Sequence, residues 1–306
     1  MDFRQMRYLI EVAECQSVSR AADNLYVSQS AISHYIKYAE ESLGVKLFDR
    51  STNPITLTFA GKCYIETARK ILLENEKLSR EIRDITNHMI GLLRIGTSRD
   101  RASYMIPKIL PRFKEKYPGI KVEIFTESGK ILRQKLHEGR IDLLILPDDG
   151  KEIPPSICTR VIYTEELLLA AKKGFIMNSD NRKFIRPEDI KDMPFFMQFK
   201  EHTTRSFCDS FFRENGIIPD IVMEFPSNIT CYRMAVTGLG LAIIPFMITR
   251  LTNTENNAEL FSLGDERHIR SWNVLVYWRK DSYIGQPEFD FIQIAEDIFS
   301  LESLKT

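Results

Sequence analysis

SVSRAADNLYVSQSAISHYIKYAEESLG, from Ser17 to Gly44, decides how the rest of the chain is read. The stretch predicts two short helices joined by a tight turn. Ser17 is suited to cap the first helix, whose inner side would be Val18, Ala21, Ala22 and Leu25. The two small residues Ala21 and Ala22 allow another helix to approach closely. Tyr26 and Val27 form the turn, Ser28 caps the second helix, and Gly44 suits the left-handed position after it.

At about 100° per residue, the second helix has two faces. Ile32, Tyr35, Ile36, Ala39 and Leu43 fall on the inner one. Ser30, Ser33, His34, Lys37 and Glu41 fall on the other, with Gln29 at the N-terminal end. Glutamine can bond an adenine edge at two atoms, serine can bond several bases, and lysine reaches guanine or phosphate. A helix of this kind fits the DNA major groove, led by its N-terminal residues.

The flanks extend the unit. Residues 2 to 14 predict an amphipathic helix with Phe3, Met6, Leu9, Ile10 and Ala13 inward. Val45 to Phe59 predicts a two-stranded wing, turning at Asn53-Pro54, with Ile55, Leu57 and Phe59 alternating. Arg50 and Thr58 stand at the wing base, where phosphates would lie. Between residues 1 and 61 there are six basic and seven acidic side chains, a net of −1, and the whole chain is at +0. No general field draws this protein to a polyanion, so a DNA-binding role rests on helix geometry.

AADNLYVSQSAISHYIKYAEESLGVKLFDR, followed by LTFAG at Leu57 to Gly61, resembles the N-terminal signature of the LysR-type transcriptional regulators. The resemblance implies a winged helix-turn-helix that binds double-stranded promoter DNA through Ser28, Gln29, Ser30, Ser33, His34, Lys37, Arg50 and Thr58. It also implies a homodimer, or a homotetramer that bends DNA and shifts when an effector binds. RNA polymerase is a further candidate partner. The chain departs from the family at Ala39, where a larger apolar residue is usual, and at Asn53, where many members carry a base.

From Gly61 to Met89 there is no proline. Tyr64, Ala68, Ile71, Asn75, Leu78, Ile82, Ile85 and Met89 recur alternately four and three apart. That heptad seam predicts a paired helix, with Ile71, Asn75, Leu78, Ile82 and Ile85 at the dimer contact. Asn75 interrupts the seam, and a polar residue there can fix register and partner number. Parallel and antiparallel pairing both fit the sequence; the resemblance implies the antiparallel one.

Beyond Gly91 the pattern becomes strand–helix alternation, which predicts an α/β domain with parallel strands. LRIGTS, IPKILPRFKEKYPGIKVEI, LHEGRIDLLIL and TGLGLAIIP resemble the LysR-type effector domain, a two-lobed α/β fold similar to periplasmic solute-binding proteins. The expected domains are 1–60 (winged helix-turn-helix), 61–90 (linker helix) and 91–306 (effector domain). Lobe I would hold 91–162 and 267–306, and lobe II 163–266. Chain crossings near Tyr163 and Arg267 would form a hinge with a cleft between the lobes.

In such sheets ligands sit beyond the carboxyl ends of strands, against helix N-termini. That rule selects Thr97 to Arg99, Thr126 to Gly129, Leu146-Pro147, Lys200 to Thr204, and Ser227-Asn228. Ser98, Ser128, Thr203 and Thr204 offer hydroxyls, and Arg99, Lys200 and His202 offer positive charge. The expected effector is a small anionic metabolite, with no cofactor and no metal.

Three rival readings are weaker. The G-x-G at Gly238 and Gly240 precedes a strand, not a helix, so it is no dinucleotide fingerprint, and the five histidines form no metal motif; an enzyme is not expected. A redox-sensing regulator would need Cys208 and Cys231 to react, whereas buried core thiols are the plainer reading. A transport-type solute-binding protein would not need residues 1–90. MDFRQMRYLIEV lacks the pattern of a signal peptide, no apolar run reaches membrane-spanning length, and the five cysteines have no metal spacing. The expected setting is the cytoplasm, with no membrane partner.

Overall fold

A computed structural model describes residues 2–52, 54–85, 90–176, 183–252, 257–265 and 268–300. The chain divides into two compact units, Met1–Thr86 and Asn87–Thr306.

The first unit begins with α1 (Phe3–Cys15), α2 (Val18–Leu25) and α3 (Gln29–Leu43). The serine caps form as expected. Ser17 Oγ accepts from Arg20 N at 3.3 Å, and Ser28 Oγ accepts from Ala31 N at 3.2 Å. Tyr26 closes α2 in the left-handed region at φ 54°, and Gly44 closes α3 at φ 68°. Strands β1 (Phe48–Asp49) and β2 (Thr56–Leu57) form the wing, antiparallel, with Phe48 opposite Leu57. Asn53, at the expected turn, lies outside the described residues. The long helix α4 (Phe59–Ile85) follows.

The core of this unit gathers Leu9, Val12, Ala21, Ala22, Ile32, Ile36, Leu47, Phe48 and Ile65. Three expected inward residues are instead exposed: Phe3, Leu43 and Phe59. Phe3 and Leu43 sit at helix ends that the neighbouring elements do not cover, and Phe59 starts α4 rather than ending the wing strand. In place of Leu43, the buried Glu40 turns inward. Its carboxylate accepts from Leu47 N at 2.9 Å and Phe48 N at 3.2 Å, and pairs with Lys46 at 3.0 Å. Burial pushes this carboxyl up, but the two amides and the lysine outweigh it and hold it below its usual range. The start of the wing is thereby fixed to α3.

The second unit begins with β3 (Gly91–Thr97), α5 (Arg99–Lys116), β4 (Ile120–Thr126), α6 (Gly129–His137) and β5 (Leu143–Pro147). β3 pairs in parallel with both β4 and β5, as the strand–helix alternation requires. Then comes β6 (Ile157–Lys172), a single strand of 16 residues. β7 (Phe184–Ile185), α7 (Pro187–Ile190), β8 (Pro194–Gln198), α8 (Thr203–Glu214), β9 (Asp220–Phe225), α9 (Asn228–Val236), β10 (Ala242–Pro245) and α10 (Met247–Leu251) follow. The unit ends with β11 (Ala258–Asp265), β12 (His268–Ile269), β13 (Ser271–Arg279) and α11 (Gln286–Phe299).

β6 joins two lobes. Residues 157–166 pair with β13, in the sheet order β4-β3-β5-β13-β6, while 167–172 pair with β10 and β11. Leu241 bridges this second sheet to β8, which pairs with β9. The register slips between Val274 and Leu275, opposite Tyr163 and Val161, so Ile162 is the extra residue of a bulge. A bulge bends and twists its strand, and it falls beside Tyr163, where the first crossing was expected. Arg267, near the second, lies outside the described residues. In lobe I, α5 and α11 cover one sheet face, with Phe113 against Phe291 at 5.4 Å. α6 covers the other, packing Leu132 and Leu136 with Leu144, Leu146 and Leu275.

Candidate DNA interface and effector cleft

On α3, the side chains of Ser28, Gln29, Ser30, His34 and Lys37 are exposed and Ser33 is half-buried. The inner face is held by Ile32 and Ile36, and by Tyr35, whose ring stands 5.3 Å from that of Tyr8 on α1. The polar face is therefore presented outward by packing behind it. Ser19 Oγ, on α2, donates to Gln29 Oε1 at 3.2 Å, which aims the amide while leaving its NH2 to donate outward. Lys37 lies 3.7 Å from Glu41 with both side chains largely exposed, a pairing that yields readily to a phosphate.

At the wing, Arg50 is exposed. Thr58, expected at a phosphate, is half-buried and engaged within the chain. Its hydroxyl donates to Lys46 O at 2.7 Å and accepts from Gly61 N at 2.9 Å, so it caps α4 and ties that helix to the wing. Gly61 permits the same junction. A Cβ there would stand 1.9 Å from Leu47 O. Glu40 and Gly61 were not singled out in the sequence, because their roles depend on contacts far along the chain.

α4 uses its first turns within the unit. Ile65 and Ala68 are buried, and Arg69 pairs with Glu14 of α1 at 3.1 Å. The heptad seam thus starts later than the sequence implied, because Ala68 is already covered by its own domain. Beyond it Ile71, Leu78 and Ile82 are 39%, 53% and 51% exposed, and Asn75 is half-buried. The Ile85 side chain and Met89 lie outside the described residues.

In the second unit, a cavity of about 220 Å³ opens between the lobes. Ser98, Arg99, Ser128, His202, Thr203 and Thr204 all line it, with Ser227 and Asn228. Lys200 does not: it is exposed and its side chain is absent from the wall. The strand-end rule selects segments, not individual side chains. Thr97 is also excluded, since it is buried and its hydroxyl donates to Ile145 O at 2.8 Å.

Three helices start at this cavity: α5 after Ser98, α6 after Ser128 and α8 after His202. None of these three cap residues makes a side-chain capping bond. Their first backbone N–H groups are therefore left uncapped by these side chains at the cavity wall, a setting that favours an anion. The α6 and α8 ends approach closely, because a Cβ added at Gly129 would lie 3.8 Å from Thr203 Oγ1. The fourth start, α9, is occupied by the chain itself. Asp100 Oδ2 accepts from Asn228 N and Asn228 Nδ2, both at 3.2 Å. Burial lowers the pKa of His202 despite Asp100 and Glu201 nearby, so its ring is largely neutral at pH 7.

The sequence reading missed the buried charges beneath the cavity. Arg101 and Glu165 pair at 2.8 Å, each about 1% exposed. Arg101 also donates to Tyr163 OH, and Glu165 accepts from Trp272 Nε1 at 2.9 Å and Met247 N at 3.1 Å. Glu165 thus joins α5, β6, β13 and the start of α10. A tryptophan indole needing an acceptor was the one available signal.

The two cysteines of the redox reading, Cys208 and Cys231, are buried and free. Burial pushes both thiols up, Cys231 to about 12, which leaves little thiolate to react. Among the described residues no cluster of three metal-ligating side chains occurs, and no helix is long and apolar enough to cross a membrane.

Comparison with known proteins agrees with this geometry. Residues 3–62 match the family described as "Bacterial regulatory helix-turn-helix protein, lysR family", and residues 86–299 match "LysR substrate binding domain". A probable RuBisCO transcriptional regulator of Cyanidium caldarium is 31% identical over 247 residues, 78% of this chain and 76% of that protein. A full-length OxyR variant from Pseudomonas aeruginosa superposes with a TM-score of 0.72 at 23% identity, covering 97% of this chain and 94% of that one. Full-length CbnR complexed with its target DNA gives 0.63 at 22% identity, covering 97% and 99%. With a helix-turn-helix and wing in one unit, a two-lobed α/β fold in the other, and family models matching residues 3–62 and 86–299, this chain belongs to the LysR family of DNA-binding transcriptional regulators.

Proposed function

We propose that α3 enters the DNA major groove and that Gln29, Ser30, Ser33, His34 and Lys37 contact the target site, with Arg50 at the flanking phosphates. The observation that carries this reading is an outward polar face whose first residue, Gln29, is oriented by Ser19. Ser28 serves first as the helix cap, and its neighbouring N–H groups suit a phosphate.

α4 pairs with the same helix of a second copy. Exposed Ile71, Leu78 and Ile82 support this, as an apolar seam that wide is costly in water. On this reading residues 1–60 bind DNA, 61–90 dimerise, and 91–306 regulate, with lobes of 91–162 plus 267–306 and 163–266. The edge strand β9, with Ile221, Val222 and Met223 exposed, offers a second self-contact for a tetramer. The protein works in the cytoplasm, where RNA polymerase is within reach, and as a regulator rather than a catalyst.

A small anionic metabolite in the cleft controls the assembly. Three uncapped helix starts and Arg99 support the anion. The ligand changes the lobe arrangement only as far as it prefers one state over the other. A footprint on the DNA flanking the protein's own gene, with and without cell extract, tests both parts. The expected result is a protected near-palindromic site whose boundary moves with extract; protection of no site contradicts the reading.

A further inference from the structure

Asp100 belongs to one lobe by its helix and to the other by its bonds. It stands in the first turn of α5, which packs against β4 and α11 of lobe I. Its Oδ2 accepts from Asn228 N and Asn228 Nδ2, both at 3.2 Å, and its Oδ1 accepts from Ser227 Oγ at 3.4 Å. Ser227 and Asn228 begin α9, which packs against β8 and β10 of lobe II. These are the carboxylate's hydrogen bonds among the described residues, and all three come from lobe II.

The contact is a built one. Asp100 and Asn228 are 8% and 7% exposed, and a carboxylate taken out of water needs donors in place of it. Ser227 Oγ uses both of its capacities: it accepts from Ile229 N at 3.2 Å to cap α9, and it sends its own proton to Asp100. The acidic group also lies at the N-terminal end of α9, the end that favours negative charge. Asp100, Ser227 and Asn228 all line the cavity, so the contact joins its two walls.

We infer that Asp100 is a clasp that holds the two lobes closed on the cavity, so that the chain's own carboxylate sets the lobe arrangement before any ligand adds its preference. Hydrogen bonds to a charged group are stronger than neutral ones, and three of them across one contact are enough to bias two arrangements of similar stability. By linkage, a ligand that prefers the closed arrangement binds more weakly once the clasp is cut, and one that prefers the open arrangement binds more tightly. The clasp acts whatever the cavity binds.

The test reads closure in the purified full chain, in buffer alone, through the rate of an engineered disulfide. A Cβ added at Gly129 of α6, in lobe I, would lie 3.8 Å from Thr203 Oγ1 of α8, in lobe II, close enough for cysteines at the two positions to join. Gly129→Cys/Thr203→Cys is treated with oxidised glutathione, and mass spectrometry follows the peptide that links positions 129 and 203, which separates it from any link made by the native cysteines. The expected result is ready linking with Asp100 present, slowed at least about tenfold by Asp100→Ala. Thermal unfolding checks that the variant folds; if it does not, Asp100→Asn, which keeps the size and removes the charge, takes its place. If neither folds, linking with Asp100 present decides alone. No linking with Asp100 present overturns the inference. A rate slowed by less than about tenfold in the folded variant also overturns it, and leaves Asp100 as a cap of α9 between lobes held together by other contacts.

Discussion

Arg101 and Glu165 form an ion pair at 2.8 Å in which neither side chain is more than about 1% exposed. The pair sits where α5 meets the strand shared by both lobes, and Glu165 also holds Trp272 and the start of α10. Removing one partner leaves a buried charge unmatched. Arg101→Met is expected to cost about 3–5 kcal/mol of stability in the regulatory unit. The double variant Arg101→Met/Glu165→Gln, which leaves no charge behind, should recover a large part. Thermal unfolding of the four-member cycle measures this; equal melting of single and double variants contradicts it.

Glu40 makes a similar prediction for the DNA-binding unit. Its carboxyl is held below the ordinary value of 4.5 when folded. Its contribution is therefore complete above that value and is lost as pH falls through the lower folded pKa. Glu40→Ala strands the Leu47 and Phe48 amides and should cost about 1–3 kcal/mol. Unfolding curves of the two proteins should converge in acid, and a constant gap across pH contradicts the role assigned to the carboxylate.

Gly61 meets the chain at the tightest point of the wing. A methyl group there would stand 1.9 Å from a backbone oxygen, which cannot move aside as a side chain can. Gly61→Ala should cost at least about 1–3 kcal/mol and weaken DNA binding through misplacement of Arg50. Melting of the N-terminal unit unchanged from the natural chain contradicts the packing.

These residues show what a sequence carries and what it withholds. Ser17, Ser28 and Gly44 were legible because a cap is decided within three or four residues. The alternation of strands and helices after Gly91 was legible for the same reason. The first half of β6 was not, because ICTRVIYTE mixes polar and apolar residues on both faces and is fixed only by its pairing with β13. Glu40, Asp100 and Glu165 were hidden because an acid is buried only when distant donors meet it. Lys200 falls outside the cavity lining because a rule about strand ends selects a loop, not each side chain in it.

His202 should couple effector binding to a proton. Burial sets its folded pKa below 6.5, so as pH falls from 6.5 the unfolded chain takes up the proton first and the regulatory unit loses stability. A bound anion favours the charged ring and raises that pKa. Affinity should therefore increase as pH falls from 7 toward the lowered value. Titrations in buffers of different ionisation enthalpy should register proton uptake in that range, fading as pH rises well above 7. A pH-independent affinity, or one that weakens in this range, contradicts the assignment of His202 to the anion.

The α4 seam predicts assembly. Leu78→Lys with Ile82→Lys should convert the dimer to a monomer in sedimentation and abolish high-affinity binding to a two-half site. Asn75→Leu should tighten association while broadening the range of oligomers. A double lysine variant that still sediments as the natural chain contradicts pairing through this helix.

The central claim is that α3 reads base edges in duplicate, and selection of binding sites from a random duplex pool at physiological salt tests it most directly. The account predicts enrichment of a two-fold related pair of half-sites about one helical turn or a multiple of it apart. It also predicts that Gln29→Ala relaxes the preference at one position in each half at a cost of about 1–3 kcal/mol. A pool that shows no enriched sequence, or a Gln29→Ala profile weakened equally at every position, would contradict it.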